Sequence, residues 1–149
     1  MIIKKILQGK DLDKIGLEKH DIAFLVENGL TVGSFGHIDI ISEFEFLQNA
    51  IILGYDSNIP ICCDGEYKGV FAMEPQFKRF VNSSVETFQR TILRYSKYCT
   101  DIQGAVDEDL AIIMVNEAII DFKNIDPDVW SKKENYWPII AQQMLDGNL

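Results

Sequence analysis

Apolar and polar residues recur along this chain at two different periods, and the places where the period changes divide it into elements. Val85, Phe88, Ile92, Tyr95 and Cys99 follow one another at spacings of three, four, three and four, which puts them on one stripe of a helix. Glu86, Gln89, Arg90, Arg94 and Lys97 fill its other faces. Ser83-Ser84-Val85-Glu86 fits a capping box in which Ser83 accepts from an orphan backbone N–H and Glu86 reaches back, with Asn82 and Ser84 as alternative caps. Upstream, the runs 50–55, 59–63, 70–74 and 77–81 are too short for helices and are separated by Asp56-Ser57-Asn58, by Asp64-Gly65 through Gly69, and by Glu74-Pro75-Gln76. They predict an antiparallel meander that leads straight into the helix.

Before the meander, from His37 on, the period is two. Ile38, Ile40, Phe44 and Phe46 share one face and His37, Asp39, Glu43 and Glu45 the other, which predicts a strand with a break near Ser42 and an acidic solvent face. Residues 1–36 read as helical and loop-like, with a short turn over 11–17 and a helix over 21–29 that Gly29 stops. Gly33-Ser34-Phe35-Gly36 reads as a turn cluster; it lacks the lysine and the spacing of a phosphate-binding loop. Beyond Cys99 the polar stretch 100–107 predicts a loop. Asp107-Glu108-Asp109 then opens a second helix, with its acids at the positive end. Leu110, Ile112, Ile113, Met114, Val115, Ala118, Ile119, Ile120 and Phe122 make that helix apolar over so wide an arc that most of it is expected to be covered. Asn124-Ile125-Asp126-Pro127 ends it, and Trp130 sits in a short turn. Tyr136-Trp137-Pro138 opens a last helix with Trp137, Ile140, Ala141, Met144 and Leu145 as its buried stripe and Gly147 as its stop. The predicted fold class is α+β: a single domain over 1–149 with a central, mainly antiparallel sheet flanked by helices.

Composition changes this picture in a few respects. The chain has 149 residues, a size that one hydrophobic core serves. No run of about 18 apolar residues is present to span a membrane. The charged N-terminal stretch MIIKKILQGKDLDK lacks the apolar core of a signal peptide, which sets the expected localisation as cytoplasmic. The net charge of −9 is unevenly spread: residues 1–36 are neutral, 37–74 carry −6, 75–100 carry +4 and 101–149 carry −7. Such a balance disfavours direct binding of nucleic acid, whose phosphates demand cations, and favours a basic partner.

Candidate chemistry is sparse. Cys62 and Cys63 are neighbours that point to opposite faces of a strand, and Cys99 has no C-x-x-C partner, so all three read as free thiols and not as a chelate. His20 and His37 stand in no metal-binding or nucleophile-activating pattern and read as solvated or capping residues. Ser83-Ser84 lacks a nucleophile-elbow context. No cofactor or metal is expected, and no enzymatic activity.

Three stretches carry a family resemblance. The run IILGYDSNIPICCDGEYKGVFAME, the run RFVNSSVETFQRTILRY and the C-terminal IDPDVWSKKENYWPIIAQQMLDGNL resemble the SUKH superfamily, and DIAFLVENGL resembles its N-terminal short helix with the following glycine. The junction over 80–84 and the element with Trp137, Asp146 and Gly147 are the more specific parts. Thr31 stands where a proline is more usual, and the doubled cysteine departs from the pattern. The resemblance implies a small α+β immunity protein that binds a cognate polymorphic toxin, often a nuclease, without turnover. The same superfamily includes regulatory scaffolds, and a scaffold or regulatory domain is the alternative reading; a small-molecule-processing enzyme is a third. A nuclease toxin needs a basic cleft, so carboxylates are the expected contacts. The expected docking residues are Asp39, Glu43 and Glu45 on the early strand and Asp64, Glu66 and Tyr67 at the acidic turn, with Tyr67 as an aromatic anchor. The basic helix face of Arg90, Arg94 and Lys97 is expected to repel such a partner.

Overall fold

The computed structural model describes residues 2–4 and 10–147. These residues form an eight-stranded sheet in which every neighbouring pair is antiparallel. The strands are β1 (Ile2–Lys4), β2 (Leu30–Phe35), β3 (Ile38–Ile40), β4 (Glu45–Leu47), β5 (Ala50–Asp56), β6 (Ile59–Asp64), β7 (Gly69–Met73) and β8 (Lys78–Asn82). Their order is β1-β2-β3-β5-β6-β7-β8, and β4 pairs with the first half of β5 while β3 pairs with its end. The predicted meander is therefore present as β5 to β8, with its two-residue turn at Ser57-Asn58 between paired Asp56 and Ile59.

The N-terminal third departs from the sequence reading. Both β1 and β2 are strands that it missed, and Gly33 and Ser34 lie within β2, so the turn is confined to Gly36 and His37 between paired Phe35 and Ile38. Gly33, with φ of 146°, interrupts the alternation that would have marked the strand. The early strand runs as β3 and β4 with an irregular stretch over 41–44 between them, at the break expected near Ser42. Ile38 and Ile40 are buried as predicted, but Phe46 is 54% exposed. It lies on the short strand β4, whose one sheet neighbour among the described residues is β5, while the helices pack chiefly on β2, β7 and β8. Where β3 crosses β5, the backbone approach is close: a Cβ at Gly54 would meet the Asp39 carbonyl oxygen at 2.4 Å, beside a register shift between Ile52 and Gly54.

The helices are α1 (Lys10–Lys14), α2 (Lys19–Glu27), α3 (Val85–Ile102), α4 (Glu108–Ile125) and α5 (Tyr136–Asp146), with a 3-10 turn at Pro127–Trp130. Val85, Phe88, Ile92 and Tyr95 of α3 are buried and Cys99 partly so; the helix continues three residues past Cys99, through part of the expected loop. α3 packs on the sheet, and α4 packs on α3, on α5 and on the 3-10 turn, so it forms an outer layer. That position corrects the expectation of a covered α4. Val115, Ala118 and Phe122 are buried, whereas Ile112, Ile113 and Ile120 are 53%, 53% and 57% exposed. Leu145 of α5, expected in the buried stripe, is exposed as well.

The junction between β8 and α3 is held by a buried polar network. Ser84, not Ser83, is the N-cap: its hydroxyl accepts from Thr87 N at 3.1 Å, and Thr87 Oγ1 accepts in return from Ser84 N at 3.2 Å, so Thr87 takes the place expected of Glu86. The buried Asp21 of α2 accepts from Val85 N at 2.8 Å and satisfies a further orphan donor of α3. Ser83 is bound elsewhere: its N–H and its hydroxyl both donate to the Asp126 carboxylate at 2.7 Å. Asn82 Nδ2 donates to the same carboxylate at 3.0 Å, and Asn82 Oδ1 accepts from Trp137 Nε1 at 2.9 Å. Trp137 is fully buried among Tyr95, Phe122 and Tyr136, at ring separations of 5.5, 5.3 and 5.1 Å.

Candidate functional site

Alternation along the strands sends one set of side chains toward the helices and the other to the opposite face. Ile51 and Leu53 of β5 and Ile61 and Cys63 of β6 belong to the main core under the helices. Ala50, Ile52 and Cys62, with Tyr55 and Met73 packed against them, form a separate small cluster on the far face. The register continues this face sideways: Leu47 pairs with Ala50, and Ala50 with Asp64, while Glu45 pairs with Ile52 and Asp39 with Tyr55. Asp39, Glu45 and Asp64 therefore share the face turned away from the helices. An open groove of about 520 Å³ runs along it, lined by residues that include Leu47, Ala50, Asp64, Tyr67, Phe77 and Lys78.

The six expected docking residues take different parts in this surface. Glu66 and Tyr67 are exposed at the turn after β6, and the Tyr67 ring stands edge-on to Phe71 at 5.6 Å with Lys78 Nζ 4.3 Å from its centre. The ring is thus held in place by contacts within the protein. Asp64 is a correction: it is buried, and its carboxylate accepts from Tyr67 N at 3.1 Å, from Glu66 N at 3.4 Å and from Lys78 Nζ at 2.9 Å. Its carboxylate is committed to building the turn. Asp39 is exposed and accepts from the Ser34 hydroxyl at 2.6 Å. Glu45 is exposed beside the Tyr55 hydroxyl, 3.4 Å away, and Glu43 is exposed in the stretch between β3 and β4. Beneath them Lys4 donates to the Leu53 carbonyl at 2.8 Å and lies 4.3 Å from the Phe44 ring centre. Burial pulls its pKa down to about 8, against the opposing pull of Glu45.

Leu47, Phe77 and Lys78 belong to this surface and were missed by the sequence reading. Phe77 and Lys78 were read only as part of a strand; an aromatic next to a cation just after a proline turn was the available signal. On the basic helix face, two of the three cations have carboxylate partners. Arg94 is paired with Asp121 at 2.6 Å and the exposed Lys97 with Asp101 at 2.7 Å.

A second cluster gathers around His37, which the sequence reading had as solvated or capping. His37 Nδ1 is 2.9 Å from the Tyr95 hydroxyl and Nε2 is 3.0 Å from the Tyr136 hydroxyl, which itself donates to Asp56 at 2.8 Å. Burial raises the pKa of both tyrosines, keeping them protonated. Burial works to raise Asp56 too, but hydrogen bonds from His37 and Tyr136 outweigh it and hold its carboxyl below the ordinary value. Both imidazole nitrogens are occupied, and the group ties β5 and the β2–β3 turn to α3 and α5. The strand thiols are equally subdued: burial pushes Cys62 up to about 12 and raises Cys63 well above its ordinary value, so both stay as thiols. Among the described residues, no group of three or more His, Cys, Asp and Glu is placed to hold a metal ion, and no helix is long and apolar enough to cross a membrane. No family model matches this chain, and neither a characterised protein nor a solved structure matches it.

Proposed function

We propose that this protein acts by stoichiometric binding, as an immunity protein that neutralises a cognate toxin with a basic active cleft, in keeping with the SUKH resemblance of its sequence. The observation that carries the reading is the sheet face turned away from the helices. It combines a groove, the fixed aromatic ring of Tyr67, and exposed carboxylates at Asp39, Glu45 and Glu66, with Glu43 beside them. Aromatic anchors in a partly apolar setting supply the short-range energy of an interface, while rim carboxylates steer a cationic partner to it. The nucleophile candidates favour binding over catalysis, since the strand thiols stay protonated and His37 is committed to two tyrosines.

The test is co-expression with the toxin encoded beside this gene, followed by binding kinetics of the purified pair at two ionic strengths. Growth rescue and a one-to-one complex are expected. Asp39→Lys with Glu43→Lys should slow association and flatten its salt dependence, and Tyr67→Ala should speed dissociation by about tenfold or more. A neighbouring toxin that this protein neither binds nor neutralises overturns the reading.

A further inference from the structure

The outer face of α4 carries a seam that stays exposed among the described residues. Asp109, Ile113, Asn116, Ile120 and Lys123 follow one another at spacings of four, three, four and three, and all five are exposed. The spacing is that of a two-helix seam. Ile112 and Ile119 flank it on one side, the first exposed and the second half-buried. The order of residues is itself informative: the seam is acidic at its first position, apolar on both sides of its centre, amide at the centre and basic at its last position.

We propose that α4 pairs with α4 of a second copy of this chain, antiparallel and about a two-fold axis at Asn116. The argument is charge and shape complementarity under that one operation. Asp109 and Lys123 lie seven residues to either side of Asn116, so reversing the helix brings Asp109 of each copy to Lys123 of the other, twice. The same reversal sets Ile113 against Ile120 in both halves, and Ile112 against Ile119 on the flank. A parallel pairing instead puts Asp109 on Asp109 and Lys123 on Lys123. Self-complementarity under a two-fold rotation is what a closed dimer requires of a surface. Asn116 falls on the axis, where a pair of amides hydrogen-bond each other and fix the register; its Nδ2 meanwhile donates to Ile112 O at 3.0 Å. Lys123 reaches its place from beside Trp130, whose ring centre is 5.4 Å from Nζ. One contact opposes the arrangement, because Glu117 flanks the axis and meets its own copy. The 18-residue helix gives a seam about 27 Å long, and because α4 is the outermost layer, the groove-bearing sheet face stays open in each copy.

Sedimentation velocity of the full chain over a concentration series tests this, and a reversible monomer–dimer equilibrium is expected. Ile113→Glu with Ile120→Glu should leave a monomer at every concentration with an unchanged circular dichroism spectrum. Asp109→Lys or Lys123→Asp alone should weaken the dimer several-fold, the two combined in one chain should restore it, and Glu117→Gln should tighten it. Asn116→Cys should cross-link copy to copy on mild oxidation. A parent chain that stays monomeric throughout overturns the proposal, as does a dimer that survives the paired isoleucine change. A combined charge variant no better than either single one excludes the antiparallel register. Loss of toxin binding on Ile113→Glu with Ile120→Glu in a monomeric parent assigns the seam to a different partner and also overturns it.

Discussion

Lys4 carries a charge into a place where water scarcely reaches it: the residue is 6% exposed and its ammonium is held by backbone carbonyls under the edge of the sheet. Its pKa in the folded protein is lowered from 10.5 to about 8. Between those values the unfolded chain keeps a proton that the folded chain has released, so folding gains stability as pH rises through the window, and the burden is fully present below about pH 8. Denaturant unfolding of the parent and of Lys4→Met, compared at several pH values, should show the parent gaining on the variant from about pH 8 to about 10. A constant difference would mean that Lys4 is neutral throughout or well solvated. At the junction, Ser84→Ala removes the cap and should cost about 1 kcal/mol. Asp126→Ala leaves the Ser83 N–H without its acceptor and Asn82 Nδ2 with Thr91 Oγ1 alone, at a buried carboxylate site, and should cost about 3 kcal/mol. Chemical denaturation of the two variants checks the ranking, and a reversal would place the anchor of this junction at the cap.

Among the elements, α3 and α4 have equal length but unequal surroundings, and the contrast gives a sharp pair of expectations. Phe88→Ala and Phe122→Ala each empty a fully buried site and should cost about 3–5 kcal/mol. Ile113→Ala, measured at a concentration where the chain is monomeric, should change stability by no more than about 0.5 kcal/mol. The meander, the stripe of α3 and the stop at Gly147 were legible because each is written in local spacing or in a residue of special backbone freedom, and Gly147 does take a φ of 72°. The coverage of α4 was not legible. Its apolar arc is wider than the one side it packs on, and which side is covered depends on how α3 and α5 converge, which no local pattern encodes. β2 escaped notice because Gly33 breaks its alternation. Within the candidate site, Glu66 and Tyr67 were legible from turn chemistry. The burial of Asp64 was not, since it depends on Lys78 arriving from a strand fourteen residues on.

For the molecule as a whole, the sheet is unequally supported. β5, β6 and β7 have hydrogen-bonded neighbours on both sides, whereas β1 is a three-residue edge whose Ile2 and Ile3 are exposed. Amide hydrogen exchange should therefore be slowest in β5 to β7 and fastest in β1 and β4, through openings that leave the rest folded. Equal protection along all eight strands would show that the sheet opens only as a unit. The buried web of Asn82, Ser83, Asp126 and Trp137 has a different consequence. Four side chains from the end of β8, the loop after it, the end of α4 and the start of α5 are bound to one another, so none of them is free to recognise a partner. Those positions serve the chassis, and under the proposed function recognition falls to a palette of side chains on the far side of the sheet, where substitutions disturb little inside. On that proposal a chain of this architecture would change its target by repainting that face alone, and transplanting these exposed residues onto another such chain should move the target with them.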